Sequence, residues 1–254
     1  MTASEQQVTE TLLGFAKADA SQLGDRALLR RYDSKFLLRH DALLPFLASL
    51  SADYSLLFAG QSSIASYRTV YYDTPERTSY HDHARGRRPR TKIRIRHYAE
   101  RSLSYLEIKT KSNHEQTQKA RRKRTFNDET LTTDDHRFLA PHLRLDPGAL
   151  SHSLVTDFRR ITLLSLAHDE RMTVDLDMSF QHQGKHHALP PAVLVEIKQG
   201  RFDRSTCAMT SLHKHRAHSV DFSKYCVSLA LSGDVGRTHA FRPSIRLLER
   251  ISNA

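Results

Sequence analysis

Polar and apolar residues alternate with a period of two along much of this chain, most clearly over 91–124, TKIRIRHYAERSLSYLEIKTKSNHEQTQKARRKR. Lys92, Arg94 and Arg96 fall on one face of a strand, and Ile93 and Ile95 on the other. After a polar turn over 100–104, Tyr105, Glu107 and Lys109 share one side, opposite Leu106 and Ile108. A loop at Ser112 and Asn113 leads to a third basic segment, Lys119 to Arg124. The pattern returns in RMTVDLD, where Arg171, Thr173, Asp175 and Asp177 alternate with Met172, Val174 and Leu176. It returns again in VLVEIK, where Glu196 and Lys198 face away from Val193, Val195 and Ile197. Each apolar row predicts a core, so each charged row faces either water or an enclosed wet space. An open sheet with one solvated face explains a single such strand. Many of them, carrying cations with a few carboxylates, fit better with a closed sheet and a polar interior. About eight strands enclose room for one small ligand.

The remaining chain supplies flanking elements. Residues 4–20 predict an amphipathic helix with Val8, Leu12, Leu13 and Phe15 on its apolar side, read as an appendage. LLRRYDSKFLL (28–38) predicts a strand in which Arg31, Asp33 and Lys35 alternate with Tyr32 and Phe36 nearby. Asp41 is placed to cap a short helix reaching Leu50. YRTVYYD (67–73) is strongly β-prone and ends at Thr74-Pro75, and HDHARGRRPR reads as a polar loop. A helix is expected over 131–145, capped near Thr133 and stopped by Pro141. Strands follow in LVTDFRRITLLSL, RMTVDLDMSF and AVLVEIKQG, then helices over 205–216 and 222–231. Seven or eight strands result, with no repeat and no clean domain boundary.

Charge narrows the partner. The chain carries a formal +11, and residues 85–124 hold 15 of its 39 Lys and Arg against Glu100, Glu107 and Glu115. Such a field concentrates anions and repels itself without them. Nucleic acid, an acidic membrane surface and a small polyphosphate all satisfy it. No apolar run approaches the ~20 residues that span a bilayer. The start, MTASEQQVTE, has neither a basic region nor an apolar core, so no secretory signal is expected. With only Cys207 and Cys226, a cytoplasmic location is the expectation. The histidine groups His81-Asp82-His83 and His213-x-His215-x-x-His218 lack zinc-site spacing and read as loop or rim residues. GxxxxGK[ST], GxGxxG and GxSxG are all missing, so neither the usual nucleotide-binding loops nor a serine hydrolase finds support.

Taken together and in order, YRTVYYDTP, KIRIR, YLEIKTK, QKARRKR, VLVEIK and FSKYC resemble the vacuolar transporter chaperone (VTC) polyphosphate polymerase domain, of the triphosphate tunnel metalloenzymes, over about residues 28–230. The resemblance implies an α+β fold: an antiparallel β-barrel tunnel of about eight strands with flanking helices. Around the tunnel domain (26–232), the chain reads as an N-terminal helical extension (1–25) and a basic C-terminal tail (233–254). The resemblance also implies transfer of the γ-phosphoryl of ATP to polyphosphate, with a divalent metal, Mn2+ or Mg2+, held by a glutamate. Matched to the family's motifs, the phosphate-handling residues are Lys35, Arg94, Arg96, Lys109, Lys119, Arg160, Arg171 and Lys224. Lys92, Arg121, Ser223 and Arg216 are expected to assist in binding, Arg121 or Arg122 replacing Lys119 if the register slips. Glu196 matches the metal-binding carboxylate. Glu107 and Asp175 are either further metal ligands or ion-pair partners of neighbouring cations. Lys123 and Arg124 read as solvated rim charges.

Phosphoryl transfer asks mainly for in-line positioning and charge neutralisation, which Arg forks and Lys point charges provide. Three classes are therefore carried forward: a polymerase using ATP, a tunnel triphosphatase, and a non-catalytic polyanion binder. Nucleic acid is not expected, because Tyr98 and Tyr105 are too few to form a base-stacking platform. The chain also departs from eukaryotic relatives, with no membrane segment and no room for their N-terminal sensor domain, so export of product would need a separate membrane partner.

Overall fold

Alternation along the strands decides which way each one faces, and their hydrogen-bonded order decides what they enclose. The structure is a computed structural model and describes residues 4–18, 32–112 and 117–253; Arg31, Asn113 and Glu115 lie outside them. In chain order come α1 (Glu5–Leu12), β1 (Ala16–Lys17), β2 (Tyr32–Arg39), α2 (Leu43–Ala48), β3 (Tyr54–Leu56) and β4 (Ala65–Asp73). Next are α3 (Thr78–Ala84), β5 (Arg90–Tyr98), β6 (Leu103–Lys111), β7 (Thr117–Arg124), α4 (Thr133–Leu139), β8 (Ser151–Ser165) and β9 (Glu170–His182). The chain ends with β10 (Lys185–Ala188), β11 (Ala192–Gln199), α5 (Cys207–Lys214), β12 (His218–Ser219), α6 (Lys224–Leu231) and α7 (Arg242–Ser252).

Nine strands form one continuous path, β12-β2-β11-β9-β8-β4-β5-β6-β7, with β1, β3 and β10 attached beside it. Laid flat, β2 and β7 would stand roughly 30 Å apart. Instead Lys119 on β7 feels Asp33 on β2 and Glu196 on β11, and Lys109 on β6 feels Lys35 on β2. The sheet must therefore curl until its two ends face each other. Among the described residues no ladder joins β7 to β2, so side chains and α6 complete the enclosure, not hydrogen-bonded strands. The barrel expected from about eight strands is thus a curled sheet of nine, open at β7.

Three apolar clusters hold this shape. The convex faces of β2, β8, β9 and β11 pack on α1, α2 and α5 through Leu38, Ile161, Val174 and Val195. The convex faces of β4–β6 pack toward α4 through Val70, Ile93, Ile95 and Leu106. On the concave side, one end is filled where Tyr71, Leu154 and Leu194 meet Phe222, Tyr225 and Leu229 of the α6 region. No helix among the described residues is long and apolar enough to cross a membrane.

Several expectations are corrected. The N-terminal helix is no appendage: Val8, Leu12 and Phe15 enter the core, while Leu13 is 80% exposed. Asp41 does not cap α2, whose N-cap is Ala42; it pairs with Arg39 instead. Within HDHARGRRPR the stretch to Ala84 is the helix α3, because buried Asp73 accepts from the backbone N–H groups of Ser79 and Tyr80. The basic C-terminal stretch forms α7, with Leu248 and Ile251 buried. Arg124 is not a rim charge. Its side chain is 6% exposed, and with Arg122 it holds Asp135 at the start of α4.

Candidate functional site

Strand register lines up the charged rows across the concave face. Lys92 on β5, Lys109 on β6 and Lys119 on β7 stand directly opposite one another. Like charges so placed repel. Burial, aided by Lys35, brings Lys92 down to about 8. Loss of hydration, Lys119 and Lys35 bring Lys109 to about 8 as well, although its side chain still opens to solvent. Lys92 Nζ donates to Ser223 Oγ, the N-cap of α6, at 2.9 Å. In the next row Arg94 faces Glu107, donating from Nε at 2.7 Å, and Arg121 stands beyond. Burial opposes ionisation of Glu107, yet Arg94 and Arg96 hold its carboxyl down at about 2.

The deeper half, on β2, β11, β9 and β8, is built differently. Arg160 grips Asp175 in a fork, Nε to Oδ1 at 2.5 Å and Nη2 to Oδ2 at 2.7 Å, and Lys224 of α6 donates to the same carboxylate. Asp175 is 1% exposed; against its burial, Arg160 and Lys224 keep its carboxyl below the usual range. Beneath these cations lies an aromatic floor. Phe158 and Tyr67 stack at 5.2 Å, Arg160 stands 5.1 Å over both rings, and Lys224 stands 4.3 Å over Phe158. Arg96 approaches the same Tyr67 ring at 5.6 Å. Such contacts place the cations without neutralising them.

On β11 and β2, the register sets Glu196 against Lys35 and Lys198 against Asp33. Lys198 Nζ bridges the two carboxylates, 2.5 Å from Glu196 Oε1 and 2.9 Å from Asp33 Oδ2. Despite burial, Lys198 and Lys35 hold the Glu196 carboxyl well below its ordinary range. Lys35 Nζ donates across the enclosure to the Phe222 carbonyl at 2.6 Å.

Most of the expected residues therefore converge: Lys35, Lys92, Arg94, Arg96, Lys109 and Lys119 with Arg160, Ser223, Lys224 and the three carboxylates. Arg171 takes the concave parity of β9, opposite Lys198. Arg121 shares the concave face with Lys119, so no register slip is needed, and Arg122 points to α4. Arg216 stands apart, exposed in the turn after α5 at φ 54°. Asp177 also leaves the row: a bulge at φ 49° turns it outward onto Arg159. Lys198, Asp33, Tyr67 and Phe158 were missed. The Glu-x-Lys spacing pointed to Lys198; nothing local marks the two rings. A cavity of about 450 Å³ opens elsewhere, beside Asp53, His168, Cys207 and Lys214, and no concave-face cation lines it.

The donor set bears on a metal. Among the described residues no three His, Cys, Asp or Glu side chains gather to hold one by themselves. Asp175 is closed off by Arg160 and Lys224, and Glu107 is engaged by Arg94. Both carboxylates are ion-paired. Glu196 meets a single ammonium at Oε1. A hard divalent ion that keeps one or two carboxylates and takes its other ligands from phosphate oxygens fits there. His83 lies in α3, with Nδ1 3.0 Å from Cys226 Sγ, and burial together with Lys92 pushes it to about 2, so it is neutral.

A family model described as the VTC domain matches residues 30–141 and 142–232. No curated protein sequence matches the chain. Among solved structures, a Hippeastrum protein that carries the name of an adenylyl cyclase, and is described as revealing a dominant triphosphatase activity, is similar over 83% of this chain and 99% of its own, at 12% identity and TM-score 0.51. A Bacillus halodurans protein, likewise named for adenylate cyclase, is similar over 75% of this chain and 92% of its own, at 12% identity and TM-score 0.46.

Proposed function

This chain belongs to the VTC domain family, and from that premise we propose that it is a polyphosphate polymerase, transferring the γ-phosphoryl group of ATP to a polyphosphate chain and releasing ADP. The observation that carries this reading is the concave face itself, where cations from β2, β5, β6, β7, β8, β9, β11 and α6 converge and outnumber the carboxylates among them. In the proposed reaction Lys92, Lys109 and Lys119 take up the charge of the phosphate chain. Arg94 and Arg96 fork onto the transferred group. Arg160, fixed by Asp175 and by the Phe158 ring, and Lys35, fixed on the Phe222 carbonyl, set the direction of attack. Positioning of this kind accounts for most of phosphoryl-transfer catalysis. A divalent ion held by Glu196 and phosphate oxygens would supply further neutralisation of the transferred phosphoryl group.

A second reading, hydrolysis of a triphosphate in the same place, is favoured by one feature. The α6 region packs against Tyr71, Leu154 and Leu194 and fills one end of the concave face, which suits a short substrate better than a growing polymer. Purified protein incubated with ATP and Mn2+ separates the readings. Polymer with ADP is expected; free phosphate without polymer means hydrolysis, and no turnover overturns both. In the same assay Glu196→Ala abolishes metal-dependent turnover with the fold intact. Unchanged activity would remove Glu196 from the metal site.

A further inference from the structure

On β2 and β11 four charged side chains face the enclosure as two cross-strand pairs, Lys35 opposite Glu196 and Asp33 opposite Lys198. Opposite charges so placed attract, and each lysine has a carboxylate directly across from it. Only one of the two lysines settles there. Lys35 reaches away, donating from Nζ to the Phe222 carbonyl at 2.6 Å. Lys198 therefore serves both acids, its Nζ 2.9 Å from Asp33 Oδ2 and 2.5 Å from Glu196 Oε1. Glu196 is thus held by an ammonium that has a second home on the neighbouring strand. The Lys198 side chain is 14% exposed and that of Glu196 20%, so water screens the pair only in part. A divalent ion of magnesium's size binds carboxylate oxygens at about 2.1 Å. With Lys198 at Oε1, ion and ammonium would share one carboxylate at short range and repel each other.

We propose that Lys198 is a placeholder for the divalent ion. It neutralises Glu196 by itself, and it yields the carboxylate by moving wholly onto Asp33 when the ion binds. Lys198 and Asp33 are then positioning residues that set metal affinity, not metal ligands. The proposal rests on the reading of Glu196 as the metal-binding carboxylate. The move is short, because the contact with Asp33 is already made and only the one at Glu196 breaks. Lys198 keeps a counter-charge throughout, so the exchange strands no charge inside the enclosure.

Titration of the ligand-free protein with Mn2+, followed by the electron paramagnetic resonance signal of the free ion, tests it. Lys198→Met binds Mn2+ on the order of 10-fold tighter than wild type, the factor that one charge-assisted hydrogen bond is worth. Asp33→Asn removes the second home and weakens Mn2+ binding several-fold, yet changes nothing once Lys198→Met is in place. Should Lys198→Met not fold, Asp33→Asn alone is read, and an affinity equal to wild type overturns the placeholder. Lys198→Met protein that binds Mn2+ no better than wild type overturns it as well and leaves the reading of Glu196 standing. An Asp33→Asn loss that persists alongside Lys198→Met makes Asp33 a ligand, which also overturns it. A gain that survives Glu196→Gln in the Lys198→Met background puts the ion elsewhere and overturns both the placeholder and the metal role of Glu196.

Discussion

The deep and the open halves of the concave face carry the same kinds of side chain and treat them in opposite ways. Around β8, β9 and β11 the cations are tied to carboxylates: Arg160 and Lys224 to Asp175, Lys198 to Glu196 and Asp33. Along β5–β7, Lys92, Lys109 and Lys119 stand in register, Lys92 anchored on Ser223, and all three have lost part of their basicity. Buried pairs barely repay their desolvation, so the deep half gains fixed geometry more than stability. The open half keeps a repulsion that a polyanion relieves. Position is set in one half and affinity is stored in the other.

The sharpest way to break this contrast is Asp175→Asn. It leaves two nearly dry cations without their counter-charge, at a cost of about 3–5 kcal/mol, or on the order of 10 °C in melting temperature for a chain of this size. Thermal melting checks it, and tripolyphosphate recovers part of the loss. An unchanged melting temperature would mean that the deep pairs are not what holds Arg160 and Lys224.

A smaller effect sharpens the other half. Lys92 has a folded-state pKa of about 8, well below the ordinary lysine value of 10.5. Between about pH 8 and 10 the unfolded chain therefore binds more protons, and the stability of the ligand-free protein rises with pH. Lys109 adds to this, but less, because its exposed side chain is screened. Bound tripolyphosphate draws the protons back and reverses the trend. Melting curves from pH 7.5 to 10 check both signs, and Lys92→Met removes much of the slope. A flat ligand-free profile would contradict the stored repulsion.

The legibility of the sequence follows the same division. KIRIR, LEIK and VEIK declared their inward faces because a period of two is a local property of each strand. What lies opposite is not local. The bridge from Lys198 to Asp33 depends on β11 pairing with β2 across more than 150 residues of chain, and only the Glu-x-Lys spacing hinted at it. Phe158 and Tyr67 sit in runs rich in apolar residues, so their role under Arg160 emerges only when β4 and β8 pair. Asp177 obeyed the alternation on paper until a bulge turned it outward. Arg124 looked solvated because its carboxylates belong to α4 and the loop before it.

Titration of the ligand-free protein with tripolyphosphate, comparing wild type with the Arg94→Ala, Arg96→Ala double variant, tests the central claim most directly. The cation-lined interior predicts saturable binding in the wild type, with affinity on the order of 100-fold weaker once two charge-assisted contacts are lost. Equal affinity in the two proteins would contradict it.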